Sequence, residues 1–125
     1  MQIYKTPLRE FKFLIEDFLN LNESETLKKL ELESSDLMLI IEEAAKLCEE
    51  TLLPINQSGD SEGCSFNNGV VTAPKGFKEA YKTFSENGWQ GLKVKEEFGG
   101  QNLPYIINMI LDEMISSTNM SFGLY

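Results

Sequence analysis

The sequence predicts an all-α fold, a bundle of amphipathic helices joined by short loops. Three observations carry that expectation. Apolar residues recur at intervals of three and four in several separate stretches, proline and glycine sit at the edges of those stretches, and no alternating run is long enough to organise a sheet.

Pro7 followed by LREFKFLIEDFLNL sets Leu8, Phe11, Ile15, Phe18 and Leu19 on one face, with proline suited to the first turn of a helix. NESET interrupts the pattern, and LKKLELE allows a short turn or helix. Ser34, Ser35 and Asp36 offer capping side chains for the clearest helix, whose stripe is Leu37, Ile40, Ile41, Ala44, Ala45, Cys48 and Leu52. Glu42, Glu43, Glu49 and Glu50 fall mainly on the opposite face and read as a solvated acidic surface rather than a metal site. Pro54, which lacks an N–H, is expected to kink or end that helix, leaving NQSGDSEG as a surface loop.

Asn68-Gly69 between short apolar pieces signals a tight turn with two very short strands. Pro74 opens a helix with a buried stripe of Phe77, Ala80, Tyr81 and Phe84, ended by Asn87-Gly88. Trp89 follows, and its ring is expected in the core between this helix and the last one, the competing role being a surface aromatic that stacks on a ligand or partner. After VKEEFGGQN, Pro104 starts a final helix with Ile107, Ile110, Leu111, Met114 and Thr118 on one face. The apolar tail MSFGLY lacks the polar punctuation of a natural domain end, so the domain is expected to be truncated at its C-terminus.

A length of 125 residues amounts to about one domain. Hydrophobic residues at 42% and charged residues at 25% exclude wholesale disorder. No apolar run approaches the roughly 20 residues of a spanning helix, and charges interrupt the first 18 residues where a signal peptide would be apolar. No membrane span and a cytoplasmic location are therefore expected. Eleven Lys and Arg against 20 Asp and Glu give a net charge of −9, which repels phosphate backbones and argues against nucleic acid. There is no histidine and only Cys48 and Cys64, which removes His and CxxC metal sites and every Cys-His or Ser-His nucleophile pair from these residues. Cys48 on the apolar stripe reads as a small core residue.

None of these features supports a reaction, and a family resemblance carries the functional expectation. GWQGLKVKEEFGGQNLP, residues 88–104, resembles the segment of acyl-CoA dehydrogenases in which Gly-aromatic-x-Gly-Leu leads to a Pro-Glu-x-x-Gly-Gly-x-Gly loop and then a helix. LDEMISSTNMSFGLY is similar to the Glu-Glu-Met/Leu helix that leads into the substrate-facing turn, and EEAAKLCEETLLPINQSGD is similar to the family's long helix. YKTPLREFKFLIEDFL resembles the N-terminal extension of a bacterial subgroup that includes long-chain and methylthiopropanoyl-CoA dehydrogenases. Two departures fall in the loop, where Lys95 replaces the usual proline and Asn102 the last glycine.

The resemblance implies an extension with one helix at residues 1–33 and an incomplete N-terminal helical domain at residues 34–125. It also implies a parent enzyme, a homo-oligomer, that takes an acyl-CoA substrate. There a glutamate base removes the α proton while hydride leaves to N5 of FAD. The base and most of the flavin contacts belong to the missing β and C-terminal helical domains, so no residue here is expected to be catalytic or to hold metal, and no FAD is expected to stay with the chain. Phe122, Gly123 and Tyr125 are the candidates for one wall of the acyl pocket, with ordinary interdomain packing as the other reading. Glu97, Gly99 and Gly100 form the loop motif, whose glycines serve a sharp chain reversal in preference to direct ligand contact. A free-standing helical interaction module without catalytic activity is the alternative to the enzyme fragment.

Overall fold

The computed structural model describes residues 3–124, and the fold is all-α with one small hairpin. Helix α1 (Leu8–Lys12) runs directly into a π-helical segment, Phe13–Phe18. Phe11 and Ile15 turn inward, but Phe18 and Leu19 are exposed, so the face expected from spacing is only half buried. The wider π turn carries the later residues off the 3.6-residue stripe. Helix α2 (Glu25–Leu30) forms where LKKLELE allowed one; the Ser24 hydroxyl accepts from the Leu27 amide, and Glu31 in the left-handed region closes it.

Helix α3 (Ser34–Lys46) is capped one residue earlier than the serines suggested. Glu33 is the N-cap, and its amide donates to Asp36 Oδ2 at 2.8 Å in a capping box. Ser34 instead ties the extension to the helix start, its amide donating to Asn22 Oδ1 at 2.7 Å. The expected break before Pro54 does not occur. Leu47–Leu52 form a second π turn, and α4 (Leu53–Glu62) continues from it with Pro54 as its second residue; the wider π turn ahead of the proline makes room for a ring that has no N–H to place in the ladder. Most of the polar stretch read as a loop is thus helical, and Gly59 within it is buried. An added Cβ there would lie 2.4 Å from Cε2 of Phe77, so the missing side chain lets that ring rest on the α4 backbone.

Strands β1 (Ser65–Asn67) and β2 (Val70–Thr72) pair antiparallel around Asn68-Gly69, both with positive φ as a tight primed turn requires. Helix α5 (Phe77–Glu86) starts beyond Pro74, with Gly76 as its N-cap at a φ of 90° that suits only glycine comfortably. Phe77 and Ala80 are buried, whereas Tyr81 is 53% exposed and leaves the predicted stripe. Helix α6 (Tyr105–Gly123) lies against α3, the second π turn and α4, burying Ile107, Ile110, Leu111, Met114 and Thr118.

Trp89 departs from its expected place. It is half-buried, packed against the core from its edge and sharing a surface groove with Leu39, Ile40 and Leu92, while Phe122 of α6 packs against the α5 rings where the indole was expected. Trp89→Ala is therefore expected to cost only about half of the roughly 3–5 kcal/mol of a fully buried aromatic. Its fluorescence should be partly quenched by iodide; complete shielding would contradict this placement.

Cys48 is fully buried, and burial pushes its thiol up to about 12 despite a hydrogen bond with Thr118. Cys64 is exposed. A thiol reagent at pH 8 is expected to titrate one cysteine in the folded chain and two in denaturant, and rapid labelling of both would refute the burial. Because the folded-state value is raised, the stability tied to the protonated thiol is present below pH 9 and is lost as pH rises from 9 towards 12.

Candidate functional site

The two candidate regions occupy opposite ends of α6. Before its start, the loop motif is built from backbone. The Gln101 amide donates to the Gly91 carbonyl at 3.0 Å, Asn102 to Val94 at 2.8 Å, and Leu103 to Leu92 at 2.7 Å. Gly99 has φ of 82°, and at Gly100 an added Cβ would come 2.0 Å from the Val94 carbonyl oxygen. Glu97 is exposed, 3.6 Å from Lys95 Nζ. Both departures from the family pattern fit their backbone. Lys95 has φ of −63°, the angle proline fixes, and Asn102 has φ of 52°, which asparagine tolerates best after glycine.

At the other end, Asn119 breaks the helical path with φ of −156° and ψ of 82°. Beyond it Phe122 is buried, edge-on to Phe84 at 5.6 Å between centroids and tilted against Phe77 at 6.4 Å. Two cavities open beside this ring. One of about 240 Å³ is lined by Gln90, Asp112, Ser116 and Gly123 among others. The other, about 590 Å³, is bounded mainly by Val71, Ala73, Phe77, Tyr81 and Phe122, with Thr72 and Lys78 at its polar edge. Gly123 is exposed and approaches the Ile115 side chain. Tyr125 lies outside the described residues. Glu97, Gly99 and Gly100 line neither cavity, so the loop motif and the candidate wall do not form one site here.

The alkyl and aromatic surface of the larger cavity fits an acyl chain. It does not fit FAD, whose pyrophosphate and ring edges demand a dense set of hydrogen-bond donors. Among the described residues, no three His, Cys, Asp or Glu side chains gather as metal ligands, and no helix is long and apolar enough to cross a membrane.

Two residues escaped the sequence reading. Asn119 sits in a helical pattern, and the available signal was an amide residue followed three positions later by the buried Phe122, the spacing of an N-cap. Glu49 looked like part of the solvated face, yet its carboxylate accepts from the Thr6 amide at 2.9 Å and Lys5 Nζ at 2.7 Å. Partial burial would raise its pKa, but Lys5 and the Thr6 amide outweigh that and hold the carboxyl below its usual value. This contact straps the N-terminal residues to the second π turn.

Residues 34–125 match the family model described as the acyl-CoA dehydrogenase N-terminal domain. A relative from Ruegeria pomeroyi, named 3-methylmercaptopropionyl-CoA dehydrogenase, is 37% identical over 122 residues, which cover 97% of this chain and 21% of the relative. The chain thus spans about a fifth of that protein's length, and the similarity includes the extension that the family model leaves out. The chain belongs to the acyl-CoA dehydrogenase family, whose N-terminal domain it carries.

Proposed function

We propose that the chain serves as the N-terminal part of a flavin-dependent acyl-CoA dehydrogenase, forming one wall of the acyl pocket and packing against the rest of the enzyme. The observation that carries this reading is the apolar cavity of about 590 Å³ against Phe122, at the end of α6, whose sequence resembles the family's helix leading into the substrate-facing turn. Phe122 and Gly123 supply the wall, and Tyr125 would extend it. Glu97, Gly99 and Gly100 hold the chain reversal before α6 and take no part in the chemistry. FAD and the base belong to the remaining four-fifths of the enzyme, which acts in the cytoplasm as a homo-oligomer. Exposed Phe66, Val70 and Val71 on the hairpin and Phe13 and Phe18 on the extension support the packing role, because such apolar surface is stabilised when covered.

The isolated chain is expected to be colourless and without dehydrogenase activity. In the full-length enzyme, Phe122→Leu should enlarge the pocket and shift the kcat/KM ratio of longer over shorter acyl-CoA by roughly tenfold, the scale of one or two methylenes. An unchanged chain-length profile would remove Phe122 from the acyl pocket. A yellow isolated chain would place flavin contacts within these residues.

A further inference from the structure

The break in α6 is a device with three connections. Asn119 is fully buried, and its Oδ1 accepts from the Phe122 amide at 3.1 Å and the Ser121 hydroxyl at 2.8 Å, which makes it the N-cap of the turn that carries Phe122. Its Nδ2 donates to the Leu52 carbonyl at 3.1 Å, across 67 positions of sequence. Leu52 closes the second π turn, the segment that also carries Glu49 and its strap to Thr6 and Lys5. Thr118, next in the chain, bonds back to the Met114 carbonyl at 2.8 Å and meets the Cys48 thiol of the same π turn.

An asparagine in the interior of a mostly apolar helix is costly to bury unless its amide is hydrogen-bonded, and here both the oxygen and the nitrogen have partners. A side chain that only filled space would be apolar. The backbone at Asn119 is extended rather than helical, so the direction of the following turn is set by the cap and by the tether together. Without them, the default is a continuous helix, which would carry Phe122 along the original axis and away from Phe84 and Phe77.

We propose that Asn119 is a positioning residue, which sets the place of the Phe122 ring by capping its turn and mooring that turn to the π segment of the α3–α4 helix. The functional meaning rests on the assignment of Phe122 to the acyl-pocket wall, but the positioning itself does not. It is tested on the 125-residue chain alone, where failure of the acyl-pocket reading would leave the outcome untouched.

The measurement is NMR of the chain with labelled phenylalanine, together with amide exchange. In Asn119→Ala, the cross-peaks between the Phe122 and Phe84 rings should vanish and the Phe122 amide should exchange about tenfold faster, the factor for one buried hydrogen bond. The Ile107 and Ile110 amides should stay as protected as before. Asn119→Ser, which keeps a capping oxygen but loses the Nδ2 tether to Leu52, should retain part of the Phe122 amide protection while the ring cross-peaks weaken. Persistence of those cross-peaks and of Phe122 protection in the alanine variant would overturn the proposal, as would an equal loss of protection at Ile107 and Ile110. If the alanine variant does not fold, the serine variant decides: weakened ring cross-peaks with Ile107 and Ile110 still protected support the proposal, and cross-peaks as strong as in the parent chain overturn it.

Discussion

A chain beginning at Ser34 is expected to lose cooperative folding or to melt far below the full chain, although residues 34–125 are the part that matches the family domain. The extension is part of the same core. Phe11, Ile15 and Leu27 are buried in one cluster with Leu37, Ile41 and Met114, and each contributes roughly 1.5–3 kcal/mol by leaving water. Removing all three uncovers apolar surface on α3 and cuts two polar stitches, Asn22 to Ser34 and Glu49 to Thr6 and Lys5. The summed loss is comparable to the whole stability of a small domain. The point version, Ile15→Ala, should cost about 2–5 kcal/mol in denaturant unfolding at unchanged m. A truncated chain that melts cooperatively at the temperature of the full one would show that residues 1–33 are an appendage.

Gly100→Ala is expected to be the most damaging single change in the loop, and Gly99→Ala a mild one. At Gly100 the new carbon would lie 2.0 Å from the Val94 carbonyl oxygen and 2.4 Å from its carbon. These are backbone atoms, and the same oxygen accepts from the Asn102 amide at 2.8 Å, so relief requires the ladder of the chain reversal to open. With several hydrogen bonds and the docking of Leu92 at stake, the cost should reach about 3 kcal/mol or more. At Gly99 nothing lies within 4 Å of the added carbon, and the penalty is only that of a left-handed alanine, roughly 1–2 kcal/mol. Thermal melts of the two variants check the contrast. Equal melting temperatures would mean that the backbones do not approach this closely.

These two glycines show where sequence reading reached and where it stopped. Motif resemblance singled out the pair, and elementary stereochemistry gave both a reason to lack side chains. Which glycine answers to a left-handed φ and which to a neighbouring backbone is a matter of three-dimensional proximity, since Val94 is six residues away and returns only because the loop closes on itself.

The fold class, the number of major amphipathic stripes, the hairpin turn and the inward face of α6 were determined by local properties: periodicity, the special φ of Asn-Gly, and proline at helix starts. Family membership was legible because motif order survives individual departures such as Lys95 and Asn102, whose backbone angles the replacements can adopt. Only the tertiary structure decided the rest. Pro54 reads as a helix stop in isolation, but a π turn held between α6 and the N-terminal strap lets the helix continue. Tyr81 and Phe18 had the right spacing for burial and Trp89 the right place after a helix-ending turn, yet the interior has a finite volume, and Phe122 packs against the α5 rings. Asn119 and Glu49 looked like ordinary polar residues until partners 67 and 43 positions away gave their side chains something to bind. Local rules report what a segment prefers by itself, whereas burial and long-range hydrogen bonding depend on which segments meet, and that is settled only when the whole chain packs.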